Sequence, residues 1–335
     1  MASGTDPLDR SAAEPRAHAL LYDADGDDRE IGLDDIGGWS PADSQLLWVD
    51  LQAQDSETID KVARALKFPD RTRAAIGNGG TTPALGGGDV FWLRVLAVGP
   101  DNGSRRQGVL LTIVAGKHFV VTIHDEPVAY LDEMRKREDV DSHVGALSAE
   151  SFTVALLDGH LSTYFDAVAD FEKDIEKLEI GILAARRLDC LPKLRELRKS
   201  ASRLRRMLAP HRTVYGGLSR PDFRPDVDTD VDRRFETLDS HFERAMDVVE
   251  NSRELVVGTF ELFSSQTALK TNESMAVLTF ATVVLGLLAC LAGVLGMNFD
   301  AAFFETKTTG FFVAAGAMVL LGVIALVIGK MKRWF

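Results

Sequence analysis

The rhythm of apolar and polar positions changes twice along this chain of 335 residues. From about residue 17 to residue 128, short runs rich in Val, Ile, Leu and aromatics alternate with polar turns. This predicts strands at 17–22, 46–51, 90–98, 109–114 and 118–124. Ala115-Gly116 between the last two marks a tight hairpin, with glycine expected to supply a positive φ. In residues 55–66, Ile59, Val62, Ala63 and Leu66 fall on one helical face, and Asp55 or Ser56 is placed to cap the N-terminus. The glycine runs at 77–80 and 86–88 read as flexible loops. They lack the strand–glycine–helix order and the Lys-Ser/Thr of a phosphate loop, so nucleotide binding is not expected.

From Ser148 the spacing becomes helical. One helix is expected to about residue 183, with Phe165, Val168, Phe171, Ile175 and Leu178 three or four residues apart. A second, from about 191 to 208, carries a basic face (Lys193, Arg195, Arg198, Lys199, Arg203, Arg205, Arg206), whereas the helix before it is acidic. The two are expected to pair through ions at their rims. Residues 226–295 contain no proline, and Phe235, Leu238, Phe242, Ala245, Val249, Val256 and Phe263 follow a 3.5-residue repeat with gaps at Ser252 and Thr259. A single helix of about 100 Å is expected there, its seam implying self-association.

The last quarter holds two long apolar runs. Residues 278–297 and 310–329 are runs of 20 with no Asp, Glu, Lys or Arg, each long enough to cross a hydrocarbon core of about 30 Å. Two spans joined by residues 298–309 make a hairpin whose polar tip faces the far side of the membrane. Lys330, Lys332 and Arg333 follow the second span and Lys270 precedes the first, so both termini are expected in the cytoplasm of a plasma (inner) membrane protein. Residues 1–16 read as a disordered leader with no signal peptide.

Charge adds one constraint. The net charge is −12; four basic and two acidic side chains in residues 274–335 leave −14 to residues 1–273. An acidic soluble region argues against nucleic acid as a partner and against a flat seat on anionic lipid. The two cysteines, Cys190 and Cys290, have no metal-ligand spacing. No nucleophile–base pattern or HExxH is present, so neither an enzyme nor a resident cofactor is expected. His124-Asp125-Glu126 has the composition of a metal triad, but a single histidine at a strand end is read as structural.

Gly296-Met297-Asn298 after the first span, preceded by Asn272-Glu273-Ser274-Met275-Ala276-Val277-Leu278-Thr279 and Ala292-Gly293 and followed by the basic, aromatic stretch at 330–334, resembles the CorA superfamily of two-span divalent-cation transporters. Trp48-Val49-Asp50-Leu51 and Thr122-Ile123-His124-Asp125 resemble its cytoplasmic domain. The resemblance implies an α+β cytoplasmic domain (17–147), a helical stalk (148–273), a pore helix (274–297), an external loop (298–309), a second transmembrane helix (310–329) and a basic cytoplasmic tail (330–335). It implies a funnel-shaped homopentamer in the lipid bilayer, with Gly296, Met297 and Asn298 forming a selectivity ring. In that ring Asn298 and the Gly296 carbonyl would hold a hydrated divalent cation in its outer sphere, while Asp300 and Glu305 concentrate cations outside and Lys330, Lys332 and Arg333 form a cytoplasmic basic ring. Asn272, Met275, Thr279, Thr282, Gly286, Ala289 and Gly293 share one small or polar face. By itself that stripe reads as close helix packing; the resemblance makes it, together with Leu278, pore lining. It also implies regulation by cytoplasmic cation at carboxylates, for which Asp226, Asp228, Asp230, Asp232 and Glu243 are available.

The pore helix departs from the family pattern. Leu295 stands where an aromatic is usual, Gly286-Leu287 where Met and Pro are usual, and Ala289 where Thr is common. These changes are expected to widen the middle of the pore and remove one ring of hydroxyls. Mg²⁺, with Co²⁺ or Ni²⁺ as surrogates, is the expected cargo. Zn²⁺ transport of the ZntB-like kind, perhaps proton-coupled, is the alternative, and a non-conducting membrane sensor or scaffold is a third.

Overall fold

The computed structural model describes residues 16–99, 107–136, 144, 148–184, 190–220, 223, 229–297 and 307–331. They form two compact units. One comprises residues up to Leu178 together with Leu188–Val257; the other comprises Glu179–Arg187 and Gly258–Phe335.

The first unit is built on a seven-stranded sheet of order β2-β1-β3-β7-β6-β5-β4. Its strands are β1 (Arg16–Asp23), β2 (Arg29–Glu30), β3 (Gln45–Gln52), β4 (Ala84–Gly86), β5 (Phe91–Val98), β6 (Gly108–Ala115) and β7 (Phe119–His124). All neighbours are antiparallel except β3 and β7, which run parallel with Asp50 beside Thr122 and Gln52 beside His124. The five expected strands are all present. The pattern did not show β2 and β4, which are too short for a period to register.

Alternation along the strands sends two apolar sets to opposite faces. Leu21, Leu47, Val49, Leu51, Val114 and Val121 meet Val62 and Ala63 of α1 (Ser56–Ala65) and Phe68 on one side. Asp55 caps α1 as expected, its carboxylate accepting from the Thr58 N–H at 2.8 Å. Helix α2 (Asp70–Gly77) follows, and the buried Arg94 of β5 donates through Nη2 to the Ala75 carbonyl at 2.8 Å, in the last turn of α2. The glycine runs are not simply flexible. Gly79 and Gly88 have positive φ (57° and 135°), Ala84–Gly86 is β4, and the Arg94 guanidinium occupies the space a Cβ on Gly80 would need.

The other face carries Trp48, Phe91, Leu93, Val95, Leu111, Ile113 and Val120. It is covered by helices α3 (Ala129–Lys136), α4 (Ala149–Leu183), α5 (Cys190–Leu208), α6 (Arg212–Leu218) and the first part of α7 (Thr229–Leu295). The 3.5-residue seam of α7 is spent here. Phe235, Leu238, Phe242, Ala245 and Val249 are each at most 2% exposed within this one chain, and Phe242 stacks on Tyr215 at 4.9 Å. The expectation that this seam drives self-association is therefore corrected: its apolar rings already have an intramolecular partner. The gap residue Ser252 is also fully buried, its hydroxyl returned to the Val248 carbonyl at 3.1 Å.

A second correction concerns Gly116. Its φ is not positive. The residue is small because the Phe119 ring lies where a Cβ would project, and its N–H donates to the Phe119 carbonyl at 3.0 Å. The ion pairs seen for the charged helices are partly local. Lys173 and Lys177 of α4 bond Asp170 and Asp174 at 3.1 Å, and Arg205 of α5 reaches Glu250 of α7 at 2.5 Å.

The second unit contains the remainder of α7 and α8 (Lys307–Met331). At 67 residues α7 is one unbroken helix of about 100 Å. Within this unit the buried Thr259 donates to Glu179 Oε1 at 2.8 Å.

Candidate cation-conducting site

Among the described residues two helices are long and apolar enough to cross a membrane, the segment ending at Leu295 and Thr309–Met331. Leucine, valine and alanine fill both, and neither contains a proline that would remove a backbone hydrogen bond.

Along α7 the partly covered positions are Val277, Phe280, Val284, Leu288, Leu291 and Leu295. They recur every three or four residues and form one stripe. On α8 the covered positions are Gly310, Ala314, Ala315, Met318, Gly322, Ala325 and Gly329. Large side chains on one helix and small ones on the other interlock the way ridges fit grooves, and small residues permit close approach in lipid. Asn272, Met275, Leu278, Thr279, Thr282, Gly286, Ala289 and Gly293 are all exposed. At 100° per residue they centre about 180° from the covered stripe. The face expected to line a pore is among the positions this chain leaves exposed, as are the apolar Val283, Leu285, Leu287 and Val294.

Three of the hydroxyls on this stretch are committed as donors. Thr282 Oγ1 donates to the Leu278 carbonyl at 2.8 Å, Thr271 to Thr267 at 2.9 Å and Thr267 to Phe263 at 2.8 Å. With its proton spent on the helix, each oxygen presents only lone pairs outward, which suits the waters of a hydrated cation. Sequence reasoning began the stripe at Asn272, but the same face continues backward. Phe260, Phe263, Ser264, Thr267, Ala268 and Thr271 line a shallow groove that ends at Asn272 and Met275. Their three- and four-residue spacing was the available signal, obscured because Phe263 also fits the 3.5-residue seam.

At the far end of α7 the chain turns out of the helix at Gly296. Its N–H donates to the carbonyls of Ala292 (2.9 Å) and Gly293 (3.2 Å), and the Met297 N–H to Val294 (3.3 Å). Three terminal carbonyls are satisfied in this tightened last turn. Gly296 does not adopt a positive φ, and a Cβ there would sit 3.3 Å from the Ala292 oxygen. The turn itself is thus open to alanine if that oxygen yields slightly. Gly296 and Met297 are exposed. Asn298, Asp300, Glu305, Lys332 and Arg333 lie outside the described residues. Lys330 is exposed in the last turn of α8, where a cation complements the helix dipole. Among the described residues no group of three or more His, Cys, Asp or Glu is placed to hold a metal ion. Of the carboxylates available for regulation, Glu243 is paired with Arg212 at 2.8 Å, while Asp226 and Asp228 lie outside the described residues.

Comparison with known proteins places this arrangement. The cobalt/magnesium transport protein CorA of Thermotoga maritima is 28% identical over 225 residues, 67% of this chain and 64% of that protein's length. The complete structure of the CorA magnesium transporter from Methanocaldococcus jannaschii superimposes with a TM-score of 0.70 at 20% identity, covering 95% of this chain and 98% of that one. The ZntB cytoplasmic domain of Vibrio parahaemolyticus gives a TM-score of 0.58 at 11% identity, over 75% of this chain and 98% of that domain. The family described as CorA-like Mg2+ transporter protein matches residues 43–333. A sheet domain, a helix running unbroken into an apolar span and a second span after Gly-Met-Asn are thus joined in one sequence profile, and the chain belongs to the CorA-like Mg2+ transporter family.

Proposed function

We propose that the chain is a passive divalent-cation channel, with Mg²⁺ as the first cargo and Co²⁺ or Ni²⁺ as surrogates. The observation that carries this reading is the bare small-and-polar face of α7, opposite the face covered in this chain and ending at Gly296-Met297. Two spans enclose no pore alone, so copies must assemble around that face, and a homopentamer is the assembly we expect from the family resemblance. Both termini are cytoplasmic and the 298–309 loop is external, because Lys270 and Lys330 flank the spans on one side.

Mg²⁺ is small and hard and gives up its waters reluctantly. A ring of Asn298 amide oxygens and Gly296 carbonyls accepts hydrogen bonds from those waters without stripping them. Carboxylates at the same place would hold the ion more tightly and slow its release. Asp300 and Glu305 raise the local cation concentration. Below the ring, acceptor oxygens such as that of Thr282 hand the hydrated ion down the helix.

The test is flux into liposomes containing the purified chain. Mg²⁺ uptake is expected, and Asn298→Ala abolishes it while the assembly persists. Flux unchanged by Asn298→Ala removes the selectivity ring from the mechanism, and absence of any cation flux from an intact assembly leaves the sensor or scaffold reading. Zn²⁺ is the second reading, favoured by the missing hydroxyl at Ala289 and the small Gly286. Zn²⁺ flux that responds to a pH gradient, with no Mg²⁺ flux, would establish it.

A further inference from the structure

In the first unit, on the sheet face covered by α3 and α4, the parallel pair β3–β7 carries a row of polar side chains that the transport path does not use. Trp48 Nε1–H donates to Thr122 Oγ1 at 3.0 Å, and the Thr122 hydroxyl donates to Asp50 Oδ1 at 2.5 Å. His124 Nε2 lies 3.1 Å from the same Asp50 oxygen, and His124 Nδ1 lies 2.7 Å from the Glu126 carbonyl. Arg135 of α3 sits 3.5 Å from Asp50 Oδ2 and also pairs with Asp132. Asp50 and His124 are each 4% exposed.

The two neighbours of the His124 ring decide its charge. A backbone carbonyl only accepts, and an ionised carboxylate only accepts, so both ring nitrogens must donate. A neutral imidazole has one N–H and turns a lone pair toward the other acceptor; the imidazolium donates to both. The buried Asp50 and His124 and the half-buried Arg135 and Asp132 together balance two anions against two cations when His124 is protonated.

Among the described residues, β1, β3, β6 and β7 carry no other buried charged side chain. On β1 the residue opposite Asp50 is His18, whose ring is held by Glu30 at 2.8 Å. On β3 and β6 the residues opposite His124 are the uncharged Gln52 and Leu111. From α4, Phe152 meets the Trp48 ring edge-on at 5.4 Å. Tyr130 of α3 packs over Gly159 of α4, where a Cβ would come within 2.6 Å of its ring. Its hydroxyl is buried without a partner, and burial with the nearby Asp50 charge raises its pKa, so it stays neutral.

We infer that Asp50, His124 and Arg135 form a pH-sensitive latch that fastens α3 to the sheet. The latch is closed while His124 is an imidazolium and weakens as the ring loses its proton. Burial opposes the charge on His124, but the Asp50 hydrogen bond and charge and the Glu126 carbonyl outweigh it and raise the pKa above the ordinary histidine value. A base whose folded pKa is raised contributes stability in full below its unfolded pKa of 6.5, and that contribution is lost as pH rises through the folded value. The loss therefore falls on the neutral-to-alkaline side.

The experiment is hydrogen–deuterium exchange of the full chain in detergent micelles between pH 6.5 and 9, corrected for the intrinsic pH dependence of exchange. One linked proton makes the opening equilibrium of α3 rise by up to about tenfold per pH unit between the unfolded value of 6.5 and the raised folded pKa of His124, and level off above it. Backbone segments on β5 and β6, remote from the latch, should not show this rise. In His124→Gln, which is neutral throughout, and in His124→Lys, which remains cationic, the rise at α3 disappears. A flat corrected profile at α3 in the unsubstituted protein overturns the latch without any variant. An equal rise at α3 in His124→Gln overturns the assignment to His124.

Discussion

Leu96 shows how one backbone unit can dictate the chemistry of several side chains. Strand β4 pairs with β5 only as far as Arg94, so the outer N–H and C=O of Leu96 have no strand to bond. The Leu96 N–H donates to His211 Nε2 at 2.8 Å, and its carbonyl accepts from Tyr164 Oη (2.6 Å) and His160 Nε2–H (3.1 Å). His211 Nδ1–H then donates to the Leu208 carbonyl at 3.0 Å, and the Tyr215 hydroxyl is shared between His160 Nδ1 at 2.7 Å and the Leu157 carbonyl at 3.3 Å. Both rings are fully buried and both must be neutral to play these roles. Burial lowers the His211 pKa to about 4, and burial together with His211 pushes His160 well down. For a histidine whose folded pKa is depressed the unfolded chain binds more protons, so stability is full above about 6.5 and is lost as pH falls toward about 4. For His211 that loss is about 3 kcal/mol. Thermal midpoints measured from pH 7 to pH 4 should fall steeply, and less steeply in His211→Gln, whose amide oxygen still accepts from Leu96. An unchanged slope would remove His211 from the acid response. These histidines were not legible beforehand, because they are 51 residues apart and what joins them is a backbone unit of a third element. His124, read as structural from its strand end, meets Asp50 of β3 and the Glu126 carbonyl, partners that spacing does not reveal.

Among the elements, α7 is the one whose sequence pattern and tertiary role diverge most. A seven-residue repeat is equally consistent with a coiled coil between copies and with a helix laid on its own domain. The sheet decides, because its second face exposes Trp48, Leu93 and Ile113 and needs a cover. Phe242→Ala should therefore destabilise the single chain by about 3–5 kcal/mol, since it empties a site 0% exposed beside Tyr215. Thermal unfolding of the detergent-solubilised protein checks this. A midpoint that falls only at low protein concentration would return the seam to an intermolecular role. The strands of the sheet were legible to within a residue or two because alternation survives local variation. The glycine runs were not, since Gly80 and Gly86 are explained by Arg94 and Trp92 side chains that lie against them from β5.

For the whole molecule, the unused face of α7 is the consequence that matters. Thr282 lies on that face, and Val284 lies on the partly covered stripe. With Cys290 replaced by serine, Thr282→Cys should cross-link copies in membranes treated with an oxidant or a short bismaleimide. Val284→Cys should not. Cross-linking of Val284→Cys alone would mean that the stripe paired with α8 is the one facing other copies, and the proposed pore lining would have to be abandoned. Together with the flux test on Asn298, this separates a wrong pore face from a wrong cargo.

The two apolar spans, the small-and-polar stripe, the strand set and the family resemblance were present in the sequence by itself, because each rests on local periodicity or on contiguous residues. Partner choice was not. That the seam of α7 folds onto its own sheet, that His160 and His211 close the edge of β5, and that Asp50, His124 and Arg135 share one charge balance were decided only by tertiary structure. In each case the deciding group is a distant backbone atom or an opposite charge, and burial makes its absence costly.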